Sequence, residues 1–147
     1  MLPVIMSWSY LLMHQNSKVY KVLIVDDVPD LRQEIAYLLE DEGYAVTQAE
    51  NGVEALKLLR DQAFDILITD MLMPKMDGIE LLKNLGNQLA TMKIIAISGG
   101  HKTHAQSDEY NALDVVSKMF RIDQCLHKPF TDEQLLHAIA SAFQPPN

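Results

Sequence analysis

The sequence predicts an α/β domain: a five-stranded parallel sheet with helices on both faces. Three observations carry this. Short β-branched runs alternate with longer segments of helical period from Lys18 onward. Val22-Leu23-Ile24-Val25 and Ile66-Leu67-Ile68-Thr69 are near-continuous apolar runs, as strands buried on both faces require. Capping and turn residues fall between the runs, where chain reversals are needed.

The first strand, Val22 to Val25, ends in Asp26-Asp27. Pro29 suits the first turn of a helix, where its missing N–H costs nothing. Leu31, Ile35, Leu38 and Leu39 then recur on one helical face, and Gly43 sits just past its end. Tyr44 to Ala49 reads as the second strand. Asn51 can cap a helix carrying Val53, Leu56 and Leu59. The third strand, Ile66 to Thr69, leads to Asp70. A loop with Pro74 and Gly78 precedes a helix face of Leu81, Leu82, Leu85 and Leu89. Lys93 to Ile97 is the fourth strand, running into Ser98-Gly99-Gly100. A helix is expected over about Ala105 to Phe120, with Tyr110, Leu113, Val116 and Phe120 on one side. Gln124 to His127 is a short fifth strand. Thr131 and Gln134 have capping-box spacing before Leu135, Ile139 and Phe143, and Pro145-Pro146 stops the last helix.

The 147 residues suit one domain, with 48% hydrophobic and 22% charged residues, which excludes a disordered chain. Twenty acidic against 12 basic residues give a formal charge of −8. That surface repels nucleic-acid phosphates and anionic membranes, so neither is expected as a direct partner. Cys125 is the single cysteine, which excludes an internal disulfide and a cysteine-based zinc site. This fits a reducing, cytoplasmic setting. Residues 1–17 form an apolar extension outside the expected 18–144 domain. Met1 to Met13 is uncharged, too short to span a bilayer, and lacks the basic start and cleavage site of a signal peptide. It reads as an added element packed on the domain or a start upstream of Met13.

In a parallel α/β sheet, ligands bind outside the carboxyl ends of the strands. Those ends carry Asp26 and Asp27, Asp70, Ser98 and Lys128. Singly, each has a plain explanation: an Asp after a strand often forms a turn, and a Lys before Pro is usually solvated. Jointly, three carboxylates at one edge repel unless a cation sits among them. Such oxygen ligands suit Mg²⁺, which binds through one or two carboxylates plus phosphate oxygens. Lys128 offers a point charge for a phosphoryl oxygen, and Ser98 a short hydroxyl donor.

These residues, with Met73-Pro74, Met76-Asp77-Gly78, Ile97-Ser98-Gly99 and Lys128-Pro129-Phe130, resemble the receiver domain of two-component response regulators. The resemblance runs from Val22 to Phe143. It implies a CheY-like, flavodoxin-like (βα)5 fold with strand order 2-1-3-4-5. It further implies that Asp70 accepts a phosphoryl group from a sensor histidine kinase or histidine phosphotransfer protein. Asp27, Asp70 and the backbone carbonyl of Leu72 would hold Mg²⁺ directly, and Asp26 through a water. Lys128 would pair with the phosphoryl oxygens, Ser98 would donate to them, and Pro129 would be cis. A downstream protein partner and a possible homodimer are also implied, with no effector domain expected after the last helix.

Departures from the family lie downstream of the site. Cys125 stands three positions before Lys128, where the family commonly has an aromatic switch residue. Thirty positions separate Ser98 from Lys128, longer than usual by about two helical turns. Met119-Phe120-Arg121 replaces the usual Gly-Ala turn. His101 and His104 in this segment are read as solvated rather than metal-binding. Leu72 and Gly100, two positions after Asp70 and Ser98, cannot orient an attacking water, so slow phosphate loss is expected. Two other functions compete with a signalling receiver, which is not a turnover enzyme. A Mg²⁺-dependent aspartyl phosphohydrolase resembles a pattern with an acidic residue where Leu72 stands, and a pseudo-receiver would not keep the full set of five residues.

Overall fold

A computed structural model describes residues 18–73, 76–99 and 118–144. Five strands form one parallel sheet: β1 Lys21–Val25, β2 Ala45–Ala49, β3 Ile66–Asp70, β4 Lys93–Ser98 and β5 Gln124–His127. Their spatial order is β2-β1-β3-β4-β5. Sequential crossovers first run one way from β1 and then the other, so the order reverses between β1 and β3. That reversal opens a crevice above their carboxyl ends.

The alternation of side chains along each strand splits the core in two. Leu23, Val25, Leu67, Ile94 and Ala96 face α2 (Gly52–Asp61) and α3 (Gly78–Leu85). Val22, Ile24, Ile66, Ile68, Ile95, Ile97 and Leu126 face α1 (Pro29–Asp41) and α4 (Asp132–Ala142). Because β1, β3 and β4 are covered on both sides, they are almost entirely apolar and buried.

The capping residues act as expected. Pro29 opens α1, and Gly43 follows its C-cap with φ 91°. The Asn51 side chain accepts from the Glu54 N–H, and Thr131 with Gln134 closes a reciprocal capping box on α4. Several expectations need correction, among them the start of β2 at Ala45 rather than Tyr44 and the extension of β3 through Asp70. Val53 is exposed at 42%, and Ala55 instead joins Leu56 and Leu59 on the buried face of α2. The chain turns out of α-helix at Gly86, with φ 55°, so Leu89 belongs to a following 3-10 turn over Gly86–Thr91. Strand β4 also runs one residue further, through Ser98, because β5 continues its ladder to His127. The expected helix near Ala105 to Phe120 falls mostly outside the described residues, as do Pro74, Gly100, His101, His104 and the 1–17 extension.

The loop after β3 is held against α2 by close backbone approach. Met76 adopts a left-handed φ of 47°, and a Cβ on Gly52 would stand 2.4 Å from its carbonyl oxygen. Backbone cannot yield as a flexible side chain would. Gly52→Ala is therefore expected to destabilise the fold by about 2 kcal/mol, read as a lowered urea midpoint. A midpoint unchanged within error would show that the loop gives way freely.

Candidate functional site

The candidate site is the crevice at the carboxyl ends of β1, β3 and β4, completed by the turn after β5. Asp26 follows β1 and is fully buried, with Oδ1 accepting from the Val28 N–H at 2.9 Å. This short turn hydrogen bond fixes the carboxylate while its Oδ2 stays buried without a hydrogen bond. Asp70 ends β3 and is 3% exposed, with Oδ1 accepting from the Leu72 N–H at 3.0 Å. One oxygen each of Asp26, Asp27 and Asp70 lies within 4.8 Å of the others.

Lys128 reaches this group from the β5–α4 turn, where the Lys128–Pro129 bond is cis. Its Nζ donates to Asp70 Oδ2 at 2.9 Å and stands 3.4 Å from Asp26 Oδ2. Burial pushes the Asp70 carboxyl above its usual range. The Leu72 N–H and the Lys128 ammonium pull it back only in part, and the Asp26 charge adds to the rise. Burial also works against the Lys128 ammonium, but Asp70 and Asp26 more than offset it and raise its pKa. In geometric terms, a single ammonium stands between two buried carboxylates.

A buried carboxylate oxygen with no hydrogen bond, held only by the ion pair to Lys128 and beside two further carboxylates, belongs to a donor set that fits a hard divalent cation such as Mg²⁺. Leu72 lies at the rim, with its side chain 43% exposed. Ser98 is 2% exposed at the end of β4, and its carbonyl accepts from the Lys128 N–H at 2.8 Å.

Two residues near the site escaped the sequence reading. Arg32 in α1 donates from Nη1 to the Asp26 carbonyl at 2.7 Å and from Nε to Gln48 Oε1 at 3.0 Å. It ties the turn carrying Asp26 and Asp27 to β2. His127 Nδ1 lies 2.7 Å from Ser98 Oγ. Arg32 pairs with the Asp26 carbonyl six residues back and with Gln48 sixteen residues on, and His127 with Ser98 29 residues away, spacings that no local pattern marks. His127 could have been found only from its position one residue before Lys128, opposite Ser98 in an assumed register.

Comparison with known proteins places this architecture. The family model for the response regulator receiver domain matches residues 22–140. Among curated proteins, the chain is 35% identical over 104 residues to the response regulator receiver protein CpdR of Brucella abortus, covering 69% of this chain and 87% of CpdR. It is 36% identical over 119 residues to the transcriptional regulatory protein CpxR of Escherichia coli, covering 81% of this chain but only 47% of CpxR. The chain thus spans about half the length of CpxR and its Haemophilus influenzae homolog. Among solved structures, the chemotaxis protein CheY4 of Vibrio cholerae superposes with a TM-score of 0.73 at 30% identity, covering 86% of this chain and all of CheY4. The response regulator TrrA of Thermotoga maritima, solved with Mg²⁺ and a beryllium fluoride, gives 0.69 at 29% identity, covering 85% of this chain and all of TrrA. With the strand order, the acidic crevice and this family match together, the chain belongs to the response regulator receiver domains of two-component systems.

Proposed function

We propose that this domain is a phosphorylation switch whose acceptor is Asp70. The observation that carries the reading is the Lys128 Nζ contact with Asp70 Oδ2 at 2.9 Å, inside a crevice where Asp26 and Asp27 add two further carboxylates. An Asp70 oxygen forms the new O–P bond as the P–N bond of a phosphohistidine breaks, and the imidazole leaves with the electron pair. Phosphoryl transfer of this kind depends on positioning and charge stabilisation more than on activating the nucleophile. Bound Mg²⁺ would supply the charge that lets phosphate approach three carboxylates. Asp27, Asp70 and the Leu72 carbonyl would hold it directly, with Asp26 acting through a water. Lys128 then turns to a phosphoryl oxygen, and Ser98 donates its hydroxyl to another.

The donor partner is a sensor histidine kinase or a histidine phosphotransfer protein. The name of the CpxR relatives, transcriptional regulator, belongs to proteins about twice as long in the matched frame. For this chain, the charge of −8 favours output through a protein partner or a second copy rather than direct DNA contact. Among the described residues no helix is long and apolar enough to cross a membrane. A cytoplasmic setting fits the intracellular kinase domain such a receiver must meet.

Acetyl phosphate with Mg²⁺ tests this directly. Intact-mass measurement is expected to show one phosphoryl group, absent in Asp70→Asn. Rapid release of phosphate with many turnovers would favour an aspartyl phosphohydrolase instead, and no adduct a pseudo-receiver. The lifetime is a further prediction. Leu72 carries no polar group to orient water toward the phosphorus, so the adduct is expected to decay over minutes or longer. A half-life of seconds at neutral pH would contradict this.

A further inference from the structure

Ser98 and His127 are partners across the parallel β4–β5 ladder, so their side chains leave the sheet on the same face. Ser98 is buried at the inner end of the site, while His127 is exposed on β5, the last strand of the sheet. The 2.7 Å Ser98 Oγ to His127 Nδ1 contact therefore joins the crevice to the sheet edge. Cys125 lies two residues before His127 on the same face of β5 and offers no ring or hydroxyl for such a link.

The hydrogen-bond inventory of the pair limits what it can do. A serine hydroxyl has one proton and two acceptor lone pairs. Before phosphorylation, either Ser98 donates to Nδ1 or a protonated Nδ1 donates to Ser98. Once the Ser98 proton is given to a phosphoryl oxygen on Asp70, only the second arrangement remains. For the contact to persist, Nδ1 must then carry a proton, and the imidazole holds Oγ by a lone pair with its O–H aimed into the site.

We propose that His127 is a positioning residue for the phosphorylated state, donating from Nδ1 to Ser98 Oγ so that Ser98 can donate to the phosphoryl group. Phosphorylation thereby selects the proton arrangement of an exposed ring on the edge strand. A partner touching β5 meets a changed imidazole without any aromatic side chain having to rotate at position 125. This rests on Asp70 being the acceptor.

The test uses the full chain with ¹⁵N-labelled histidine, Mg²⁺ and beryllium fluoride, the adduct being followed separately by ¹⁹F signals. His127 is assigned by its loss in His127→Asn. In the wild-type adduct, His127 Nδ1 is expected to be protonated; Ser98→Ala is expected to lose that constraint. His127→Leu removes the donor, and its beryllofluoride is expected to dissociate about tenfold faster, the loss of one hydrogen bond's contribution. His127→Asn places an amide nitrogen where Nδ1 stands and is expected to restore the lifetime. A merely structural contact would leave the Leu and Asn variants alike. An adduct with Nδ1 unprotonated, or equal lifetimes in both variants, overturns the proposal alone. Absence of any Asp70-dependent adduct overturns the acceptor reading and this proposal with it.

Discussion

Asp70→Asn is expected to abolish the phosphoryl adduct and, without Mg²⁺, to make the fold more stable at neutral pH. The first effect follows from removing the attacking oxygen, since an amide oxygen does not form the acyl phosphate. The second follows from the charge balance. Buried Asp26 and Asp70 face the single ammonium of Lys128, at 3.4 and 2.9 Å. Asparagine keeps the size and an acceptor for the Leu72 N–H while leaving Asp26 as the one fully buried carboxylate paired with the ammonium.

The pH dependence has a definite sign. The Asp70 carboxyl is raised above 3.8, its ordinary value, chiefly by burial. As pH rises from 3.8 through the raised folded value, the native state holds a proton that the unfolded chain has lost. Stability therefore falls across that window, and the charged carboxylate is a destabilising group above it. Asp70→Asn removes this contribution, so its advantage is expected to grow with pH and vanish below 3.8. Urea titrations in EDTA at several pH values measure it. A variant less stable than wild type at neutral pH would show that the Lys128–Asp70 contact outweighs the burial of charge.

Lys128→Met is the converse change and is expected to lower stability. The Lys128 side chain is 13% exposed, and those of Asp26 and Asp70 are 0% and 4%. Removing one partner from a buried ionic group leaves the other charges uncompensated, at a cost of about 3–5 kcal/mol. Part of that loss is relieved at low pH by protonating the carboxylates. Mg²⁺ replaces the missing positive charge, so added Mg²⁺ is expected to stabilise Lys128→Met more than wild type. The same variant is expected to lose adduct formation, because no point charge meets the phosphoryl oxygens. Equal Mg²⁺ stabilisation in both proteins would mean that the ammonium and the metal do not answer the same charge.

Much of this molecule was legible in the sequence. The buried runs from Val22 and Ile66, the caps at Asn51 and Thr131, and Gly43 after α1 are local features. Their structural consequences need only neighbours three or four residues away. The five strands in alternation then implied one polar edge, and Asp26, Asp27, Asp70, Ser98 and Lys128 were readable as its occupants. The misreadings at Val53 and Leu89 have different physical origins. A helical period identifies an apolar face, but the depth to which its margin sinks depends on what packs above it. The end of α3 was decided by one backbone torsion at Gly86.

By itself, the sequence determined the sheet, its described helices and the identity of the acidic edge, because these rest on periodicity and residue chemistry close along the chain. Tertiary structure alone decided which groups share one charge and which share one proton. Lys128 stands 58 residues from Asp70 and His127 stands 29 from Ser98, yet they meet at 2.9 and 2.7 Å. Such contacts depend on strand register and loop closure summed over the whole fold. Carboxylates become costly only when folding takes them out of water.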